Sequence, residues 1–254
     1  MKLENKTILI TGGTSGIGLE MARQLLERGN TVIVTGRDRA RLEAAKRTLP
    51  KVHVFSSDAS DPAAIARLHD QVIAQFPALD TLINNAGIMR NLNLNQDRDL
   101  HDVTREIEIN LNGPVRMVQH FLPHLKTRRD ALILNVSSAL AFIPFPISPV
   151  YSATKAALHA FTQCLRIQLE GSSVRVIELA PPGVETPLFR GEFAEETKGQ
   201  KGIDVVVLVK ATIAGIEAGK TEIRPGLSKV LKTMSRIAPE FMLKQLANAS
   251  KPKK

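Results

Sequence analysis

Cysteine, tryptophan and long apolar runs are scarce in this chain of 254 residues. Its single cysteine, Cys164, excludes an internal disulfide framework, and its place in a helical segment predicts a buried structural thiol. No apolar stretch approaches the ~20 residues that a membrane-spanning helix needs. Residues 1–6 lead directly into a strand-like segment rather than a secretory signal. We therefore expect a reducing, cytoplasmic setting.

Acidic residues are outnumbered, and the formal net charge is +9. No nucleic-acid recognition motif or row of interleaved aromatic residues accompanies this charge, so we expect no nucleic-acid partner.

Histidines with metal-ligand spacing are also missing. His120 and His124 are four residues apart, but Pro123 lies between them and no third ligand follows, so we predict no metal site. The apolar content of 43% is enough for one large α/β domain.

Strand-like and helix-like segments alternate along the chain. Short runs rich in β-branched residues predict strands at 6–11, 31–35, 52–56, 79–84, 131–137, 173–179 and 221–224. Helical patterns occupy 17–28, 38–48, 62–75, 99–125, 150–170 and 204–218. This βα alternation predicts a Rossmann-type, doubly wound parallel sheet with helices on both faces.

A glycine-rich turn joins the first strand to the first helix. The turn contains Gly12, Thr14, Ser15, Gly16, Ile17 and Gly18. Glycines let the backbone approach a pyrophosphate, and the N-terminus of the following helix offers unpaired N–H groups to that anion. The turn therefore predicts a dinucleotide site, although the spacing differs from GxGxxG.

Tyr151 and Lys155 stand four residues apart in a predicted helix, so they share one helix face. A nearby cation favours the phenolate and should lower the tyrosine pKa toward the working range. The pair could then donate a proton to a carbonyl oxygen or accept one from an alcohol. On its own, the spacing would equally suit a surface Tyr–Lys pair.

Several motifs in order identify the chain as similar to the single-domain short-chain dehydrogenases/reductases, from about residue 5 to about residue 226. They are TGxxxGIG at 11–18, Asp58 after the third strand, NNAG at 84–87, Asn110, the serine motif at 135–138, YxxxK at 151–155 and PGxxxT at 182–186. The resemblance implies the strand order 3-2-1-4-5-6-7. The sequence of residues 1–37 and 222–226 also resembles that of the oxidoreductases of D-alanyl-teichoic-acid operons. That name records gene neighbourhood rather than a substrate.

The resemblance assigns roles to individual residues. Ser138, thirteen residues before Tyr151, would hydrogen-bond the substrate oxygen, and Ser137 would be structural. Tyr151 would be the general acid/base, Lys155 would also bind the nicotinamide ribose, and Asn110 would hold a water that links Lys155 to solvent. The remaining implied cofactor contacts are Asp58 and Ala59 at the adenine, Asn85, Ala86 and Gly87 beneath the adenosine ribose, and Pro182, Gly183, Val184 and Thr186 near the nicotinamide.

The end of the second strand bears on cofactor choice. NAD-binding relatives place an acidic residue there, whereas this strand ends with Gly36 and Arg37. The guanidinium fork of Arg37 suits a phosphate, so we expect NADP(H) to be preferred with NAD(H) possible. Asp38 could oppose this preference, although it also suits a helix N-cap. Ser15 stands where some NADP-preferring relatives carry a basic residue.

The predicted substrate pocket is apolar. Its walls would come from Ile88 and Met89, from 140–149 and from 187–202. We expect an NAD(P)-dependent oxidoreductase that interconverts a lipophilic carbonyl and an alcohol. The alternatives are a 3-oxoacyl-thioester reductase and a non-catalytic NADP-binding redox sensor. In the helix predicted over 99–125, Glu106 and Glu108 are expected to lie on a solvated face.

Residues 227–254 extend beyond the family-like domain of residues 1–226. From residue 226 onward there are seven basic residues and one acidic residue, which supply +6 of the net +9. A stripe at helical spacing contains Leu227, Val230, Leu231, Met234 and Ile237. We expect this stripe to pack on its own domain or on a partner subunit. Attachment to an anionic membrane surface is the alternative. The family resemblance implies a homodimer or homotetramer.

Overall fold

A computed structural model describes residues 1–191, 193–194, 199 and 201–249. Within these residues, seven parallel strands form one sheet in the order β3-β2-β1-β4-β5-β6-β7, as predicted. The strands are β1 (Thr7–Ile10), β2 (Thr31–Gly36), β3 (His53–Ser56), β4 (Thr81–Asn84), β5 (Ala131–Val136), β6 (Val174–Leu179) and β7 (Glu222–Ile223). Because the strand order reverses direction between β1 and β4, a crevice opens at the carboxyl ends of these strands.

Helices cover both faces of the sheet. They are α1 (Gly16–Glu27), α2 (Arg39–Thr48), α3 (Pro62–Gln75), α4 (Leu100–Ile107), α5 (Gly113–Lys126), α6 (Pro149–Gln168), α7 (Pro187–Arg190), α8 (Val205–Glu217), α9 (Ser228–Ile237) and α10 (Pro239–Ala249). Asp38 and Asp61 cap α2 and α3 by accepting hydrogen bonds from Arg41 N and Ala63 N. The N-cap role proposed for Asp38 is therefore confirmed.

The prediction of one unbroken helix over 99–125 is wrong. A π-helical turn at Glu108–Asn112 separates α4 from α5. Pro114 follows in the first turn of α5, where its missing N–H removes a backbone donor. The wide π turn changes the helix phase, and Asn110 lies within it.

Alternating strand residues build two hydrophobic layers, one on each side of the sheet. On one side, Ile8 and Ile10 join a cluster with residues of α1 and α8. On the other side, Leu9 and Ile33 pack with residues of α3 and α5. Burial on both faces explains why the central strands β1, β4 and β5 are nearly continuous apolar runs.

The prediction that Cys164 is buried is wrong: Cys164 is exposed on α6, because its position on the helix faces away from the sheet. Within its own domain the stripe of residues 227–237 is partly covered, since Leu231 and Met234 are half-buried whereas Leu227, Val230 and Ile237 are exposed. Packing of the exposed residues on a partner subunit stays a prediction. Part of the predicted wall at 187–202, namely Glu192, 195–198 and Gln200, lies outside the described residues. Among the helices of the described residues, none combines the length and apolar character that crossing a bilayer needs.

Candidate active site

The glycine turn after β1 has a backbone that side chains would disturb. Gly12 and Gly16 have φ angles of +65° and +52°, in the left-handed region that favours glycine. A Cβ on Gly12 would lie 2.8 Å from Ala86 Cα. The N-cap of α1, Ser15, makes no side-chain hydrogen bond to the helix, and the first turn of α1 contains no acidic residue. These features leave an N-terminus suited to an anion.

Side chains of neighbouring strands hold this turn in place. Asn85 Nδ2 donates to the carbonyls of Thr11 and Gly12, both at 3.0 Å. Thr11 Oγ1 in turn accepts from the backbone N–H groups of Asn85 and Ala86. Gly18 lies behind the turn, where a Cβ would come within 2.5 Å of Asn85 Nδ2 and Gly12 O. Its place in the motif is therefore explained by close packing.

Basic side chains stand at the end of the crevice beyond β2. Arg37 lies on the crevice wall with its side chain 53% exposed, 4.0 Å from Asp58. Arg41 of α2 also lines this end. Burial favours a raised pKa for Asp58, but hydrogen bonds from Ser60 and the positive charge of Arg37 lower it below its usual value.

One continuous crevice of about 910 Å³ connects these elements. Eighteen of the twenty catalytic and cofactor-binding residues predicted from the sequence line it: Gly12, Thr14, Ser15, Gly16, Ile17, Arg37, Asp58, Ala59, Asn85, Ala86, Gly87, Ser138, Tyr151, Lys155, Pro182, Gly183, Val184 and Thr186. Gly18 lies behind the glycine turn, and Asn110 is fully buried behind Gly87.

Ser138, Tyr151 and Lys155 meet at the middle of the crevice. The Ser138 hydroxyl lies close enough to the Tyr151 hydroxyl to lower the pKa of the phenol, and it accepts from Leu140 N at 3.1 Å. Lys155 Nζ lies 5.6 Å from the centre of the tyrosine ring and donates to Val136 O at 2.9 Å. The Ser137 hydroxyl instead donates to Glu178, which favours Ser138 as the serine available to a ligand.

The tyrosine pKa differs from the sequence-based expectation. Burial raises the pKa of Tyr151 to about 12, the hydrogen bond from Ser138 opposes this increase, and the negative charge of Glu106 adds to it. Burial also lowers the pKa of Lys155 to about 8, against the charges of Glu106 and Glu178. The predicted lowering of the tyrosine pKa is therefore wrong for this arrangement, because burial is the largest effect on the phenol. A neutral phenol at pH 7 is a proton donor.

Asn110 is linked to the site by hydrogen bonds to the backbone of Ile88. Its amide oxygen accepts from Ile88 N, and its Nδ2 donates to Ile88 O, both at 2.9 Å. Nδ2 also lies 3.2 Å from Thr154 Oγ1. Asn110 therefore ties the segment after β4 to α6, which carries Tyr151 and Lys155.

Glu106 is a site residue that sequence reasoning missed. It is completely buried rather than solvated, and its Oε1 accepts from Arg90 N at 2.9 Å. It precedes Asn110 by four residues, and this spacing could have suggested a shared helix face. The burial of Glu106 was not predicted because an amphipathic helix normally turns its glutamates toward water.

The far end of the crevice is apolar. Its lining includes Met89, Leu140, Phe145, Leu188, Phe189 and Phe193. The C-terminal extension also contributes, through Leu227 and Leu231 at α9 and Leu246 of α10. The extension is therefore part of the wall of the crevice.

A buried ion pair fastens α9 beside this wall. Lys232 Nζ donates to Glu222 at 2.6 Å and lies 5.0 Å from the centre of the Phe142 ring. The carboxylates of Glu222 and Glu178 and the His159 ring come together there, and all three ligand atoms lie within 4.8 Å of one another. The Lys232 ammonium already supplies a cation to this cluster.

Comparisons with known proteins agree with this geometry. A sequence model of the family described as short chain dehydrogenase matches residues 6–197. The chain belongs to the short-chain dehydrogenase family. It is 40% identical to the uncharacterized oxidoreductase DltE of Bacillus subtilis, across 97% of this chain and 98% of DltE.

Solved short-chain dehydrogenases share the fold. A short chain dehydrogenase from Burkholderia cenocepacia in complex with NADP has a TM-score of 0.83 and 27% identity, covering 97% of this chain and 99% of that one. The 3-ketoacyl-(acyl-carrier-protein) reductase from Brucella melitensis complexed with NADH has a TM-score of 0.79 and 28% identity, covering 89% and 100%.

The phenol of this short-chain dehydrogenase can be titrated selectively, since the chain contains 1 tyrosine and no tryptophan. Near-ultraviolet absorbance should show little phenolate at pH 10, where a free tyrosine is about half ionised. Because the folded pKa is about 12, the stability that the neutral phenol contributes is present below pH 10 and lost as pH rises toward 12. Glu106→Gln should lower the midpoint by removing a negative charge.

Glu108→Gln is the matched control for this titration, because Glu108 is 43% exposed and pairs with Arg116. It should leave the midpoint unchanged. Circular dichroism at each pH would verify that the protein stays folded. A midpoint at or below 10 in the folded protein would contradict the prediction.

Proposed function

We propose that this protein is an NADPH-preferring oxidoreductase that interconverts a lipophilic carbonyl compound and its alcohol. The observation that carries this proposal is that Ser138, Tyr151 and Lys155 lie together in one crevice. This crevice connects a glycine turn suited to a pyrophosphate with an apolar chamber. The bound dinucleotide would supply or accept the hydride, and the protein would position the reactants and transfer the proton.

The crevice suits a dinucleotide along its length. The turn from Gly12 to Ile17 and the uncapped start of α1 would hold the pyrophosphate. Asp58 and Ala59 would face the adenine, and Asn85, Ala86 and Gly87 the adenosine ribose. Pro182, Gly183, Val184 and Thr186 would contact the nicotinamide, and Lys155 its ribose. NADP is the ligand of the Burkholderia cenocepacia relative.

Arg37 and Arg41 support the preference for NADPH. Both line the adenosine end of the crevice, and a planar guanidinium matches the oxygens of a phosphate. Asp38, the nearest carboxylate in sequence, is engaged in capping α2. NADH would lack the phosphate that these arginines recognise, so it would bind more weakly and still occupy the same crevice.

Proton transfer would be the task of Tyr151. Ser138 would hydrogen-bond the substrate oxygen and place it beside the phenol. In reduction, Tyr151 would donate its proton to that oxygen, and a raised pKa keeps the phenol protonated at neutral pH. Asn110 and Thr154 would hold the surrounding segments in register, and a water at Asn110 would return protons through Lys155.

A 3-oxoacyl thioester is a second candidate substrate. The similarity to a 3-ketoacyl-(acyl-carrier-protein) reductase favours it, and the apolar chamber could receive an acyl chain. A non-catalytic redox sensor is disfavoured, because such a sensor would not need Ser138, Tyr151 and Lys155 together.

The decisive experiment is a panel of aldehydes, ketones, 3-oxoacyl thioesters and alcohols, followed by NADPH or NADH absorbance. We expect turnover with lipophilic carbonyl substrates and a lower KM for NADPH than for NADH. Turnover restricted to thioesters would select the second candidate. Tight NADPH binding without turnover of any carbonyl or alcohol would favour the sensor.

A further inference from the structure

The C-terminal helices α9 and α10 leave large apolar side chains in solvent. Val230 and Ile237 of α9 are 54% and 72% exposed, and Phe241 of α10 is 55% exposed. Val230 and Ile237 are seven residues apart, which places them on the same face of the helix. Apolar groups of this size gain free energy when a partner surface removes them from water.

Exposed basic residues lie next to these apolar residues along the same two helices. Lys229, Arg236 and Lys244 are all exposed, whereas Lys232 is buried against Glu222. An apolar face flanked by exposed lysine and arginine is typical of helices that lie in the headgroup region of an anionic bilayer. A helix pair of this kind needs no membrane-spanning length.

The same helices border the mouth of the crevice. Leu227 lines the crevice and is also 67% exposed, so it lies between the chamber and solvent. The Lys232–Glu222 ion pair holds α9 against the catalytic domain. A surface that covered the exposed apolar groups would therefore lie next to the entrance for a lipophilic substrate.

We propose that Val230, Ile237 and Phe241, flanked by Lys229, Arg236 and Lys244, dock this protein on an anionic phospholipid bilayer beside the entrance of the crevice. Charge favours this occupant over a second copy of the chain. A twofold interface would bring the same basic side chains of both copies together, whereas anionic lipids attract them. Each exposed basic residue strengthens such binding about fivefold. The link to a lipophilic substrate rests on the proposed function, but the docking itself does not.

Vesicle flotation of the full-length protein tests the proposal. The probes are vesicles of phosphatidylglycerol with phosphatidylcholine, and vesicles of phosphatidylcholine alone. We expect binding to the anionic vesicles only, weakened by added salt because the Debye length shortens. The double variant Ile237→Glu/Phe241→Glu should weaken binding more than about tenfold, since two buried side chains are lost.

Val207→Glu is the matched control, because Val207 is 56% exposed on α8 and outside the extension. It should bind vesicles as the unmodified protein does. Circular dichroism and NADPH titration would verify that each variant is folded, and neither the flotation nor its outcome depends on finding a substrate.

Three results would overturn the proposal. The first is no flotation with anionic vesicles. The second is flotation that survives Ile237→Glu/Phe241→Glu and disappears with Lys229→Gln/Arg236→Gln, which would mean charge adhesion without apolar docking. The third is self-association in sedimentation that the glutamate variant abolishes while vesicle binding is absent, which would assign the face to a second copy.

Discussion

Tyr151→Phe is expected to reduce turnover by at least about 10²–10⁴-fold, the range that general acid/base groups contribute. The substitution removes only the hydroxyl that would donate the proton, and the ring remains to fill a site that is 6% exposed. The fold and the NADPH affinity should therefore be preserved. Steady-state kinetics on any substrate found in the panel, together with NADPH titration, would measure both effects.

A paired serine comparison sharpens this test. Ser138→Ala should also lower turnover strongly, because it removes the hydroxyl that lies beside the phenol. Ser137→Ala should mainly lower stability, by about 1.5–3 kcal/mol, because its hydroxyl donates to the buried carboxylate of Glu178 instead. Near-normal turnover of Tyr151→Phe would contradict the proposed role of the phenol. A larger loss of turnover in Ser137→Ala than in Ser138→Ala would show that Ser137, and not Ser138, binds the substrate oxygen.

Arg37→Ala is expected to erase most of the preference for NADPH over NADH. A hydrogen bond to a charged group contributes about 1.5–3 kcal/mol, which corresponds to roughly 12- to 160-fold in affinity. NADH should bind with nearly unchanged affinity, because it lacks the phosphate. Titrating both nucleotides against the variant and the unmodified protein would measure the difference.

Arg39→Ala provides the matched control for cofactor selectivity. Arg39 is exposed on the same helix as Arg41 and lies outside the crevice lining. It should leave both affinities unchanged, whereas Arg41→Ala should weaken NADPH only. Equal affinities for NADPH and NADH in the unmodified protein would show that the end of β2 does not select the phosphate.

The sequence determined the sheet and most of the crevice wall. The strand positions, the glycine turn and the Tyr151–Lys155 spacing depend on local patterns: β-branched runs, glycines where the chain turns tightly, and residues four apart on a helix. The order of the strands in the sheet was implied by the family resemblance. Caps such as Asp38 are equally local, because the side chain bonds the backbone three residues later. Such features can be predicted without knowing which distant residues pack against them.

Tertiary structure alone decided the electrostatics of the site and the place of the extension in the crevice wall. The pKa of Tyr151 depends on how much solvent the fold excludes, and burial is the largest of the effects that raise it. Glu106 is buried because the segment after β4 covers it, which no helical pattern in its own sequence reveals. Leu231 and Leu246 line the crevice, and the pairing of Lys232 with Glu222 on β7 holds α9 beside it. Desolvation and long-range contacts are properties of the assembled fold, so the sequence pattern could not predict them.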